Sequence, residues 1–196
     1  MNSLLRQQVR EKLGKIHNGY PILLILVGES GTGKTTFVRM MNCEENWFES
    51  SRAMREALQK RGEPVNHDTI HAFAKRAYRE NPRWQVPNII AALAGKKFLI
   101  LDGPRKIEEV RALLGVHPRT LIVRILTSRT KERAERLRLR DGIGTEDFKR
   151  VREDESMETE LGQILALADI TIVNDGTTDD LRKTALELKE ILQKIE

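Results

Sequence analysis

A polar turn, Gly28-Glu29-Ser30-Gly31-Thr32-Gly33-Lys34-Thr35, follows the apolar run Ile22 to Val27 and leads into Thr36-Phe37-Val38-Arg39-Met40. Its spacing is G-x-x-x-x-G-K-[ST], and the chemistry that needs this spacing is the holding of a triphosphate. Glycine at Gly28, Gly31 and Gly33 lets the backbone wrap closely, so the N–H groups from Ser30 through Thr36 can point inward at phosphate oxygens. The helix that should follow adds the positive end of its dipole. Lys34 would reach the β- and γ-phosphates, and the Thr35 hydroxyl would ligate Mg²⁺. An ordinary glycine–serine turn would not be framed by a buried-type strand and a helix. A second chemical residue is Asp102, which ends "KKFLILD". A carboxylate at the carboxyl end of a parallel strand can hold Mg²⁺ directly or through water. A nucleoside triphosphate and Mg²⁺ are therefore the expected ligands.

The elements that must position these residues are legible as alternating segments. Apolar runs at Ile22 to Val27, Lys97 to Leu101, Thr120 to Leu126 and Ile170 to Val173 read as strands, with a weaker one near Asn46 to Ser50. Charged amphipathic stretches alternate with them, which predicts a parallel sheet of about five strands covered by helices on both faces. The stretch "MNSLLRQQVREKLGKIH" predicts an extra helix within residues 1–20. From about residue 50 to 95 the chain makes a helical excursion. "SSRAMREALQKRG" is expected to start on a serine cap and end at Gly62, "HDTIHAFAKRAYRE" stops before Pro82, and "VPNIIAAL" tolerates Pro87 in its first turn.

Composition narrows the class. The chain has 196 residues, 39% apolar and 32% charged, which suits one soluble globular domain rich in surface helix. One cysteine, Cys43, excludes an internal disulfide framework and points to a reducing, cytoplasmic setting. No run is long enough to span a bilayer, and no signal-peptide pattern is present. The net charge of +5 favours anionic partners, either small phosphates or nucleic acid. Most basic residues are interleaved with Glu and Asp, as expected of solvated helix faces, so a small phosphorylated molecule is expected in preference to nucleic acid.

Beyond the cradle, several segments resemble known kinases. "LDGPR" resembles the Asp-Gly-Phe-Pro-Arg segment of adenylate kinases and other nucleoside monophosphate kinases, without the Phe. "SSRAMREAL" is similar to their Thr-Gly-Asp-x-x-Arg segment, with Ser50-Ser51-Arg52 in place of Thr-Gly-Asp. "RLRLRDGIGTEDFKRVRED" is similar to the lid of dephospho-CoA kinases, and "ADITIVNDGTTDDLRKTALEL" to their last strand and helix. The resemblance runs from Ile22 to the C-terminus. It implies a P-loop three-layer sandwich in a single domain, with a helical acceptor-binding insert and an Arg-rich lid at about residues 136–152.

It also implies roles. Ser51, Arg55 and Arg105 would grip the acceptor. Arg140 would contact the ATP phosphates from the lid and act in catalysis with Lys34 and Asp102; Arg136, Arg150 and Arg152 are further lid candidates. Asn174 and Gly176 would lie by the adenine. The activity implied is transfer of the γ-phosphate of ATP to a nucleotide-like acceptor, foremost a nucleoside monophosphate. Dephospho-CoA is the alternative, for which Glu49 would be the residue near the acceptor hydroxyl. A nucleotide-driven switch acting on a protein or nucleic acid is a reading of another class.

Other features carry plainer readings. His67 and His71 in "HDTIH" share a helix face at i, i+4, a spacing that zinc also uses, but Asp stands where the zinc motif has Glu. Cys43 reads as a small buried side chain. Trp47 and Trp84 read as core, with base stacking as the alternative. Arg133 and Arg138 read as parts of a solvated helix.

Overall fold

A computed structural model describes residues 3–14, 19–104, 106–141 and 160–195. Its centre is a parallel sheet of five strands: β1 (Ile22–Val27), β2 (Trp47–Glu49), β3 (Phe98–Asp102), β4 (Thr120–Leu126) and β5 (Ile170–Val173), in the order β2-β3-β1-β4-β5. β1, the most apolar strand, is central and buried along its whole length. Its two neighbours are β3, with Leu26 opposite Asp102, and β4, with Leu26 opposite Val123. β2 and β5 are the edges; in β5 burial alternates, Ile170 and Ile172 in, Thr171 and Val173 out.

The period of two along the strands splits the core into two layers. Ile22, Leu24 and Leu26 face helices α1 (Leu4–Leu13), α2 (Lys34–Met40) and α9 (Thr178–Lys194), with Phe37, Val38, Leu188 and Leu192 buried against them. Leu23, Ile25 and Val27 face α5 (Val86–Leu93), α6 (Ile107–Val116) and α8 (Leu161–Ala166), through Ile89, Leu93, Val110, Leu113 and Ile164. The expected three layers are therefore present. α1 completes the first layer: Val9 and Leu13 are fully buried, and Lys12 pairs with Asp169 at 2.6 Å. Asp169 in turn accepts from the Ile122 N–H at 2.8 Å, which ties α1 to the start of the β4–β5 pair.

The excursion forms α3 (Ser50–Lys60) and α4 (His67–Glu80), followed by α5. α3 and α4 build a small core of their own from Met54, Leu58, Phe73 and Tyr78. Trp84 sits edge-on to Phe73 and Tyr78, with ring centroids 5.7 and 6.0 Å apart, and so is a core residue. Trp47 is half-buried against the first layer, with the Arg52 guanidinium 5.4 Å over its ring. α4 starts on a capping box in which Asn66 accepts from the Thr69 N–H at 2.9 Å. The serine cap expected for α3 is not found. The cap position is Glu49 and makes no side-chain cap bond, because the Glu49 carboxylate is taken by Ser51 and Arg55 while Ser50 is buried inside the helix. Among the described residues no helix is long and apolar enough to cross a membrane.

Candidate active site

The carboxyl ends of β1, β3 and β4 converge on the turn that the sequence singles out. β1 stops at Val27 because Gly28 turns away with φ +151°, and a Cβ there would lie 2.4 Å from the Ile125 carbonyl oxygen. Gly31 (φ +79°) and Gly33 (φ +101°) are likewise left-handed. These positions need glycine, which fits the close backbone wrap a phosphate cradle requires. Thr32 is buried and its hydroxyl donates to the Glu29 carbonyl at 2.8 Å, bracing the loop from within. Gly33 accepts from the Phe37 N–H at 2.8 Å as α2 begins. Lys34 Nζ donates to the carbonyls of Gly28 at 2.6 Å and Glu29 at 3.0 Å, so its charge lies folded along the loop. Thr35 and Thr36 are exposed in the first turn of α2.

Asp102 closes β3 and is buried, in register with Leu26 on one side and Glu49 on the other. A carboxylate and an exposed threonine hydroxyl are hard oxygen donors of the kind Mg²⁺ takes, alongside phosphate and water. The residues present thus fit a magnesium–triphosphate pair.

Glu49, at the end of β2, collects the mouth of the insert. Ser51 Oγ donates to its carboxylate, Arg55 Nη2 does so at 3.0 Å, and Arg52 stands 3.8 Å away. Burial raises the affinity of Glu49 for a proton, but the bonds from Ser51 and Arg55 and the guanidinium charges outweigh it. Its carboxyl is held below the usual glutamate range. Ser51 and Arg55 are therefore brought together around Glu49. Arg105 lies outside the described residues, as do Arg150, Arg152 and the side chains of Arg140, His67 and His71. α7 (Thr130–Asp141) covers the first part of the expected lid, and Arg136 is exposed on it.

Asn174 follows β5 and is buried beside the cradle, its Nδ2 donating to the Thr32 carbonyl at 2.9 Å. The next residue, Asp175, ties the loop after β4: it accepts from Thr127 Oγ1 and the Ser128 N–H, both at 2.8 Å, and from Ser128 Oγ at 2.7 Å. Hydrogen bonds from Ser128 and Thr127 hold its carboxyl below the usual aspartate range. Gly176 then turns into α9, and a Cβ on it would meet the Asp180 carboxylate, 2.9 Å away, which caps that helix through Thr177.

One reading needs correction. Arg133 is not on a solvated face: it is buried, and its Nε donates to the Ser30 carbonyl at 2.5 Å while Nη1 pairs with Glu29. Arg138 does follow the solvated reading, bonding Glu135 at 2.8 and 2.6 Å in the open. A signal separating the two existed. Arg133 stands four residues before Leu137, the buried apolar residue of α7, and so shares its inward face.

No protein-family model matches the chain. A UPF0200 protein from Aeropyrum pernix is 30% identical over 166 residues, spanning 82% of this chain and 88% of that protein. The chain belongs to the UPF0200 family. Among solved structures, the dephospho-CoA kinase from Campylobacter jejuni superposes with a TM-score of 0.54 at 11% identity, over 87% of this chain and 96% of its own. Shikimate kinase from Acinetobacter baumannii, in complex with shikimate, gives 0.52 at 19% identity, over 90% and 96%. This UPF0200 chain therefore has the fold of the P-loop kinases.

Proposed function

We propose that the chain is an ATP- and Mg²⁺-dependent phosphotransferase acting on a small, phosphorylated, nucleotide-like acceptor, with nucleoside monophosphates first among the candidates. The observation that carries this reading is the left-handed glycine cradle of Gly28, Gly31 and Gly33, with Lys34 inside it and Asp102 beside it. Its backbone would bind the triphosphate, Lys34 would swing from the loop carbonyls to the phosphate oxygens, and Asn174 and Gly176 would flank the adenine. Thr35 and Asp102 would hold Mg²⁺, which when bound offsets charge on the transferring group. Arg136 and Arg140 would add positive charge from the lid and exclude water. Ser51, Arg55 and Arg105 would grip the acceptor's phosphate.

The step balances simply. An acceptor phosphate oxygen bonds to the γ-phosphorus, the bond from that phosphorus to the β–γ bridging oxygen breaks, and ADP leaves. A phosphate acceptor is already ionised at neutral pH, so no general base is required.

A second reading rests on Glu49. Its carboxylate sits in register with Asp102 and remains ionised, which suits orienting a hydroxyl acceptor, as dephospho-CoA kinase chemistry would need. Both readings predict ADP release from Mg·ATP that depends on one acceptor class. We expect Lys34→Ala to reduce transfer by more than about 100-fold while its thermal midpoint stays near that of the wild type. A panel of ribo- and deoxynucleoside monophosphates plus dephospho-CoA, with phosphate incorporation measured, separates the two. If no acceptor gains phosphate although ATP binds, the switch acting on a macromolecular partner takes the place of both.

A further inference from the structure

The cradle contains an anomaly for an anion site: its second residue, Glu29, is acidic. A lone carboxylate there would repel a triphosphate held by the neighbouring N–H groups. Glu29 is not alone. Arg133 reaches it from α7, its side chain only 4% exposed. The same guanidinium holds the Ser30 carbonyl at 2.5 Å. Farther along α7, Leu137 packs on the same loop: a Cβ on Gly31 would lie 3.0 Å from Arg133 Cγ and 3.2 Å from Leu137 Cγ. Two successive loop residues and a glycine are thus fixed by one face of one helix. A guanidinium stays charged at every working pH, and its fork can hold a carbonyl and a carboxylate at once.

We infer that Arg133 is a positioning residue for the nucleotide: it neutralises Glu29 within the phosphate cradle and fastens α7 to the loop, so that affinity for the triphosphate depends on the Arg133–Glu29 pair. This rests on the ATP reading given above. Arg133 need not touch the phosphates; it removes a repulsion and sets the loop's shape. The two contributions are separable, because replacing Glu29 removes the repulsion without restoring any bond to Ser30.

Equilibrium binding of Mg·ATP to the full chain, by calorimetry at low and moderate salt, tests this with Arg133→Met, Glu29→Gln and the double variant. Arg133→Met should weaken binding about tenfold, the size expected of one uncompensated charge near a partly exposed site. Glu29→Gln should tighten it a few-fold, with a steeper loss on adding salt, since the Arg133 charge is then no longer offset by the Glu29 carboxylate. The double variant should return to within about threefold of wild type. A purely structural arginine would leave the double variant as weak as Arg133→Met, and that result overturns the inference. Should Arg133→Met not fold, Glu29→Gln decides alone: unchanged or weaker binding overturns it. A wild type that does not bind Mg·ATP overturns both this inference and the ATP reading. A wild type that binds it as the variants do overturns only the former.

Discussion

At Gly33 the backbone has φ +101°, and a Cβ would lie 2.5 Å from Asn174 Nδ2, the atom that holds the Thr32 carbonyl. Gly33→Ala therefore faces two obstacles of different origin. The left-handed backbone alone costs about 1–2 kcal/mol for a residue with a Cβ, and the clash forces Asn174 off the cradle. We expect Gly33→Ala to lower the thermal midpoint by at least about 3 °C and to weaken Mg·ATP binding as well. Gly33→Ala combined with Asn174→Gly should recover only the clash, so a full recovery of the midpoint would show that the backbone conformation is not strained. The glycines and Lys34 could be read from the sequence because the motif's spacing names them: glycine takes positive φ at least cost, and lysine supplies a compact charge on a flexible stem. The contact that makes Gly33 doubly intolerant could not, since Asn174 is 142 positions from Thr32 along the chain.

Among the elements, α6 shows how a helix end can be completed from elsewhere. It starts at Ile107 after Lys106, with no side-chain cap of its own. Glu160, just ahead of α8, supplies the missing acceptor: its carboxylate takes the Ile107 N–H at 2.9 Å and pairs with Lys106 at 3.3 Å. Burial works against ionisation of Glu160, but the Ile107 and Lys106 bonds prevail and hold its carboxyl below the ordinary glutamate range. A carboxyl with a depressed folded-state pKa stabilises the fold above its unfolded pKa, and that gain is lost as pH falls through the folded value. Glu160→Gln should accordingly be less stable than wild type at neutral pH, and the difference should shrink as pH falls below the usual glutamate range. Thermal midpoints of the two proteins across that range check it; a difference independent of pH would rule out the ionic part of the cap.

Strand and helix placement was largely readable at this scale, since β1, β4, β5 and the insert helices carry their own periods and stops. The α3 cap was misread. Ser50 and Ser51 have the right chemistry for a cap, but Arg55 and the end of β2 recruit Glu49 first.

For the molecule as a whole, Cys43 reports on integrity. It is buried in the layer that α1, α2 and α9 share, and burial, only partly offset by Lys189, pushes its thiol up to about 11. Thiolate is then scarce at neutral pH and access is blocked, so a thiol reagent should label the native chain no faster than it opens. Mg·ATP at about 100 times its dissociation constant should add about 2.7 kcal/mol to stability and slow labelling in proportion. Lys34→Ala should show the slow basal labelling without the nucleotide effect. Rapid labelling of the native wild type would contradict the burial of Cys43.

What the sequence determined by itself was whatever local pattern dictates: an apolar run that must be a buried strand, a glycine spacing that only a wrapped loop satisfies, an aspartate ending a buried strand, and the alternation that makes the sheet parallel. The tertiary structure alone decided which charges are paired and where. Its spacing from Leu137 turns Arg133 to the inward face of α7, but only the fold decides that it is buried on Ser30 and Glu29, while Arg138 bonds Glu135 in solvent. The reason is physical. A helix specifies which residues share a face, but burial of a charge depends on a partner, and here that partner lies 104 positions away, brought close only when β4 docks beside β1.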